Sequence, residues 1–532
     1  MKQTVKIFLF LLLLVFTTLT AHSQDHHKRY KSIDVLSYCF EIQLYDTSNV
    51  IRGAADIEIA FKTDLEQFQL DLSNKLPDNT GMEVTQVTEN GRELSFQHKE
   101  NHITLNIPET QAGTVRKYRI IYSGIPDDGL IISKNKFGDR TFFGDNWPNR
   151  GHNWLPLVDH PSDKATVEFK ISAPDHYGVV AVGKRVSEER EAGRVHSHWL
   201  TSIPLSTKLM VIGVSPFAVQ EMQSQSGVPV STWVYPQNKE MGFHDYSIAT
   251  RPLDFFESYI APFPYAKLAN VQSKTVYGGM ENASCIFYHE RTVNGKQDNE
   301  ALFAHEIAHQ WFGDAVSELD WHHIWLSEGF ATYLTDIYIE QKYGREAFIE
   351  SMMDEKGQVL RFAKRRLAPI IDTTLEVSTR LLNKNTYEKA GWVLHMLRHD
   401  LGDDLFHESV QAFYEKFKFK NALTEDFLEV LESVSSREYD SFFHQWFYQS
   451  GHPVLSCSWK AKGRTMEFSI TQTQKQFVFQ FPLDLEITNK KGERVRKTIY
   501  ISAADQSFTF ALPFKAREVQ LDPDSWLLYE LN

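Results

Sequence analysis

Two histidines four residues apart, in His305-Glu306-Ile307-Ala308-His309, carry the strongest chemical signal in this sequence. On a helix, positions i and i+4 share a face, so both imidazoles reach one cation, and zinc is the metal such a pair suits. The bland alternative is an amphipathic helix with two solvated histidines. Its flanks, Ala301-Leu-Phe-Ala304 and Gln310-Trp-Phe-Gly313, are too apolar for a solvated face. A buried pair of neutral imidazoles needs a partner, and a metal supplies one. A catalytic zinc keeps three protein ligands and an open position. Eighteen residues separate His309 from Glu328, which opens a second helix in Trp325-Leu-Ser-Glu-Gly-Phe-Ala-Thr-Tyr333 and could return a carboxylate to the same metal. Spacing leaves a second role open, that of a first-turn glutamate behind a Ser327 cap, complementing the helix dipole.

The elements that must position these groups follow from hydrophobic period. Residues 218–450 show helical spacing over Ala301 to Phe312, Glu328 to Tyr343, Tyr387 to Leu401 and Thr424 to Val434. Residues 24–217 instead alternate, as in Tyr38, Phe40, Ile42 and in Val167, Phe169, Ile171, and so predict antiparallel strands in a saddle or sandwich. After Gly451-His452-Pro453 the alternation returns in Met466, Phe468, Ile470 and in Phe477, Phe479, Phe481, with Lys490-Lys491-Gly492 as a hairpin turn. Residues 451–532 are therefore expected to form a small β-sandwich, and the chain as a whole an α+β multidomain protein.

Composition sets the outer bounds. With 532 residues, 42% of them hydrophobic, the chain can bury several cores, and the net charge of −13 argues against nucleic acid as a partner. Lys2 and Lys6 precede an apolar run from Ile7 to Leu19, too short to span a bilayer, and Ala21-His22-Ser23 offers a cleavage site. Residues 1–23 thus read as a signal peptide. Export to the periplasm or the exterior is expected, leaving a chain of net charge −15 with no membrane span. Cys39, Cys285 and Cys457 are too few and scattered for a disulfide framework and read as free thiols; with no Cys-x-x-Cys, a thiolate zinc site is excluded.

Further motifs interlock with the histidine pair. Gly278-Gly279-Met280-Glu281-Asn282 lies upstream of His305, and Tyr387-Glu388-Lys389-Ala390-Gly391 downstream of Glu328. In this order and spacing the chain resembles the zinc aminopeptidases of the aminopeptidase N and leukotriene hydrolase family. The resemblance implies a β-domain, a thermolysin-like catalytic domain and a small β-sandwich. It also implies that His305, His309 and Glu328 hold one Zn²⁺, which polarises the scissile carbonyl and lowers the pKa of a water. Glu306 is then the general base, and Tyr387 the donor to the tetrahedral intermediate. Glu281 pairs with the free α-ammonium of a peptide, while Gly278, Gly279, Met280 and Asn282 complete the loop along which extended substrate lies.

Some positions depart from the family pattern. Relatives often supply a glutamine or glutamate from the β-domain to bind the amine; here that region holds Asp145, Asn146 and Trp147, with Asp145 as the candidate second anion. Before the third ligand the chain reads Asp320-Trp321-His322-His323-Ile324-Trp325, and His322 and His323 stand either behind a ligand carboxylate or at the surface. Asn282-Ala283-Ser284 is formally a glycosylation sequon, but a sugar there would block the cleft. Many relatives carry a large C-terminal helical domain, whereas about 80 residues follow Gly451, so a more open cleft tolerating longer peptides is expected. Two other readings remain: a related zinc hydrolase acting as an endopeptidase or epoxide hydrolase, and a non-catalytic peptide-binding module.

Overall fold

The computed structural model describes residues 30–375 and 378–532, and the predicted leader, 1–23, lies outside them. The protein is a multidomain α+β chain with a β-rich N-terminal part and a helical region. Ile33–Gln43, Ile51–Phe61, Val115–Ile125 and Lys164–Pro174 belong to one nine-stranded sheet. They turn alternate side chains, among them Phe40, Ile57, Ile120 and Phe169, into a common core. One pairing departs from the antiparallel expectation. Tyr38 lies opposite Ile57 in an antiparallel neighbour and opposite Val167 in a parallel one. Period two reports which face a side chain takes, not the direction of the next strand.

The predicted helical stretch opens instead on a five-stranded sheet, in the order Ala218–Gln223, Pro229–Val234, Leu268–Ser273, Cys285–His289, Gly279–Met280. Its inner strands are covered on both faces and so lack the alternation that betrays a half-buried strand. Ile286 and Tyr288 join the helical core, while Cys285 and Phe287 of the same strand join the N-terminal one. The short strand Gly279–Met280 forms the sheet's edge, with Gly279 opposite Tyr288. Helix Glu300–Ala308 lies on this sheet, where Phe303 stacks on Tyr288 at 4.1 Å between ring centres.

Towards the C-terminus a four-stranded and a three-stranded sheet point Leu455, Phe468, Phe481 and Leu483 into the helical core. Gly492, at φ 83°, turns the hairpin between Phe481–Thr488 and Arg494–Ile501. Phe477 and Phe479 precede the strand instead of lying in it. The Gln472 side chain bonds both the N–H and the carbonyl of Phe479, replacing a neighbouring strand. Cys39, Cys285 and Cys457 are free, and burial pushes each thiol up to about 11. No helix among the described residues is long and apolar enough to cross a membrane.

Candidate active site

Helix Glu300–Ala308 is shorter than its apolar pattern predicts, and His309 caps it, its N–H still bonded to the carbonyl of His305. Both imidazoles therefore keep the i, i+4 relation. The second helix, Trp325–Tyr343, begins three residues before Glu328 and carries that carboxylate in its first turn. His305 Nε2 and His309 Nε2 are 3.1 Å apart, and Glu328 Oε2 lies 3.4 and 3.2 Å from them. Bonds of about 2.0–2.1 Å in a tetrahedral zinc site require donor–donor edges of about 3.3 Å, so the three atoms outline one face of such a site. Glu328 Oε2 is buried and accepts no hydrogen bond from the protein.

Charge makes the same demand. Burial lifts Glu306 well above the usual carboxylate range, with Glu281 and Glu328 adding to the shift and His309 opposing it. Glu281 is raised by the same burial. Although burial alone would keep His309 neutral, Glu328, Glu281 and Glu306 push it up to about 10. Three buried carboxylates thus call for a cation between them. His305, His309 and Glu328 fit a divalent zinc ion in number, donor type and spacing.

Support for the ligands comes from residues that sequence spacing does not reveal. Ser327 does not cap its helix; Ile324 takes that position, and Ser327 Oγ lies 3.1 Å from His309 Nδ1, which is also 3.1 Å from the carbonyl of Phe312. Those contacts hold Nδ1 and leave Nε2 facing the centre. Gly313, at φ 124°, permits them, because a Cβ there would stand 2.3 Å from Ser327 Oγ. Gly279 does the same for Glu306: a Cβ would fall 2.3 Å from Glu306 Oε1. Edge-strand backbone and carboxylate are in direct contact.

A cavity of about 260 Å³ collects His305, Glu306, His309, Glu328, Gly278, Gly279, Met280, Glu281 and Tyr387, closed by Trp147, Tyr277, Leu302 and Leu382. Glu281 is buried and its Oε1 has no hydrogen-bond partner, while Gln310, one residue past the cap, holds the Glu281 carbonyl at 2.7 Å. Tyr387 stands in a π-helical turn, Asn385–Lys389, its ring stacked 6.0 Å from that of His305. Burial and the nearby Glu328 carboxylate keep its phenol protonated far above neutral pH.

Two predicted residues are not brought into the cavity. Asp145 is buried with its carboxylate already engaged by Arg150 at 2.5 Å, Thr275 Oγ1 at 3.2 Å and the Val276 N–H at 3.3 Å. The β-domain residue that does line the cavity is Trp147. Asn282 is fully buried in the turn after the edge strand, its carbonyl accepting the Cys285 N–H, so the sequon offers no exposed amide. His322 and His323 do neither thing expected of them. Both are buried, His322 against Asp320 Oδ1 at 2.7 Å and His323 against Thr424 Oγ1 at 2.8 Å. They anchor the loop into helix Trp325–Tyr343. Beneath Glu281, Lys208 of the N-terminal part forms a fully buried ion pair with Glu318, 2.6 Å long.

Comparison with known proteins gives the same picture. Residues 244–446 match the Peptidase family M1 domain and residues 29–209 the Peptidase M1 N-terminal domain. Glutamyl aminopeptidase of Rattus norvegicus is 27% identical over 361 residues, 64% of this chain and 37% of that protein. Leucyl aminopeptidase of Saccharolobus solfataricus is 24% identical over 446 residues, 78% of this chain and 54% of that protein. Aminopeptidase M1-C of Oryza sativa subsp. japonica is 28% identical over 333 residues, 60% and 38% of the two chains. The chain thus spans less than two thirds of the length of each. Matched at both its β-rich and its helical part, and carrying the two histidines and the glutamate at one centre, this chain belongs to the M1 (aminopeptidase N) family of peptidases.

Proposed function

We propose that the protein is a zinc-dependent aminopeptidase that removes the N-terminal residue from peptides, on a thermolysin-like catalytic region followed by a C-terminal β-sandwich. The observation that carries this reading is one cavity holding a three-donor metal set, a proton-accepting Glu306 and an unpartnered buried carboxylate, Glu281. A bound zinc ion supplies Lewis acidity at the scissile carbonyl. Glu281 pairs with the substrate ammonium; a buried anion without a partner is costly, and the free N-terminus relieves that cost. The edge strand Gly279–Met280 presents backbone groups to extended peptide and so fixes the register in which the first peptide bond reaches the centre. Glu306, a stronger base for being buried, takes a proton from the attacking water and returns it to the leaving amine. The Tyr387 hydroxyl donates to the developing oxyanion. We also propose that residues 1–23 direct export and are removed near Ser23-Gln24.

Aminoacyl reporter substrates and their N-acetylated counterparts test this function on the purified protein. Turnover should require the free amine, vanish with a chelator and return with zinc. Glu306→Gln should retain the metal and lose at least about 10²-fold in kcat. Equal cleavage of acetylated and free substrates contradicts the proposal.

A further inference from the structure

The part of the cavity next to Glu281 is aromatic and uncharged. Trp147, 2% exposed, packs edge-on between Tyr277 at 6.0 Å and Trp321 at 5.6 Å, and Met280 adjoins Glu281 in the chain. Among the described residues no lysine or arginine lines the cavity. Two cations of the N-terminal part near it, Arg150 and Lys208, are engaged elsewhere. Arg150 holds the Trp147 carbonyl, Asp128 and Asp145, and Lys208 holds Glu318.

We infer that Trp147, Tyr277 and Met280 form the wall against which the substrate's N-terminal side chain lies, and that this wall selects uncharged apolar residues and rejects Glu and Asp. The inference rests on the aminopeptidase reading. With the ammonium at Glu281 and the first carbonyl at the ligand set, the side chain faces the lining next to Glu281, to which Tyr277, Met280 and Trp147 contribute. An apolar side chain there buries its area against rings and a thioether. A carboxylate is desolvated beside Glu281 and Glu306 with no lysine or arginine of the described lining to pair with, the zinc being held by its own ligands and the substrate carbonyl, and most of that desolvation goes uncompensated. That this sequence matches glutamyl aminopeptidases does not transfer their named preference, because among the described residues no lysine or arginine lines this wall.

Methionine, glutamine and glutamate are of similar length and separate charge from size. With the zinc-loaded wild type and aminoacyl reporters of the three, kcat/KM for Met should exceed that for Glu by at least about 100-fold, with Gln between. A Glu reporter cleaved within about tenfold of Met, or better, overturns the inference. Trp147→Arg should cut the Met-to-Glu ratio at least about tenfold, and Tyr277→Lys, at a half-buried position, repeats the test should the first variant fail to fold. An unchanged ratio in a folded variant overturns the wall. If no reporter is cleaved, the aminopeptidase reading fails on its own. Calorimetry on Glu306→Gln then still decides the pocket: tighter binding of L-methioninamide than of L-glutamic acid α-amide supports the wall, and equal, reversed or absent binding overturns it.

Discussion

At the scale of single residues, Glu306 owes its place to the lack of a side chain at Gly279, where a methyl group would overlap the carboxylate. Gly279→Ala should displace that carboxylate and lower kcat by about 10²-fold while zinc content, measured by atomic absorption, stays at that of the wild type. Far from the cleft, Asp163 is buried with only Oδ1 engaged, by the Val35 N–H at 3.2 Å. Burial, with Asp34 adding, pushes it up to about 7 against the 3.8 of a free aspartate. The folded state therefore holds the proton more tightly than the unfolded one. The stability this contributes is full below about pH 4 and is lost as pH rises through about 7. Asp163→Asn should match the wild type in urea unfolding at about pH 4 and gain on the order of 4 kcal/mol at most at about pH 8. The histidine pair is legible in the sequence because a helix converts spacing into a shared face, and Glu306 through the family resemblance. Ser327 and Trp147 are not. Ser327 reaches its partner across a loop, and Trp147 reaches the cavity only through packing between the two halves of the chain.

At the scale of elements, helix Trp325–Tyr343 delivers Glu328 and also receives the segment bearing Tyr387. Gly329 lets that segment approach, since a Cβ there would lie 2.5 Å from the Ala390 Cβ and 3.4 Å from the Thr386 carbonyl. Gly329→Val should push the Ala390–Leu401 helix outward and move the phenol. The expected result is a loss of about 10- to 100-fold in kcat, read by steady-state kinetics, with metal binding retained. Helix period places the starts of Trp325–Tyr343 and Ala390–Leu401 within three residues, although both are buried along most of their length, and it does not find the half-exposed helices Arg345–Ala363 and Asp403–Phe417. It overextends Glu300–Ala308 by four residues because Gln310, Trp311 and Phe312 remain buried after the helix has ended. The inner strands of the five-stranded sheet are missed because, covered on both faces, Leu268–Ser273 and Cys285–His289 show no alternation to read. Tyr387 is legible only through the family resemblance, since a tyrosine before an apolar helix is by itself an ordinary core residue.

At the scale of the whole molecule, the centre depends on the contact between its N-terminal and helical parts. Lys208 of the first reaches Glu318 of the second in a pair with no solvent access, and Lys164 donates to the Asp314 and Ala315 carbonyls just beside it. Lys208→Met leaves Glu318 buried without its ion-pair partner, with Lys164 the remaining cation beside it, and should cost up to about 3–5 kcal/mol, seen as a lower Tm in calorimetry. Composition and charge foretell several packed domains but not that one strand, Cys285–His289, feeds two cores. The parallel partnership of Ile33–Gln43 with Lys164–Pro174 has a consequence in time. Ser37 faces Thr166, so during synthesis at about 5–20 residues per second the first strand waits roughly 6 to 25 s for its second neighbour to be made. Throughout that interval one side of a strand carrying Tyr38, Phe40 and Ile42 stays open to any other chain, and a holding factor that binds extended apolar segments has its window there.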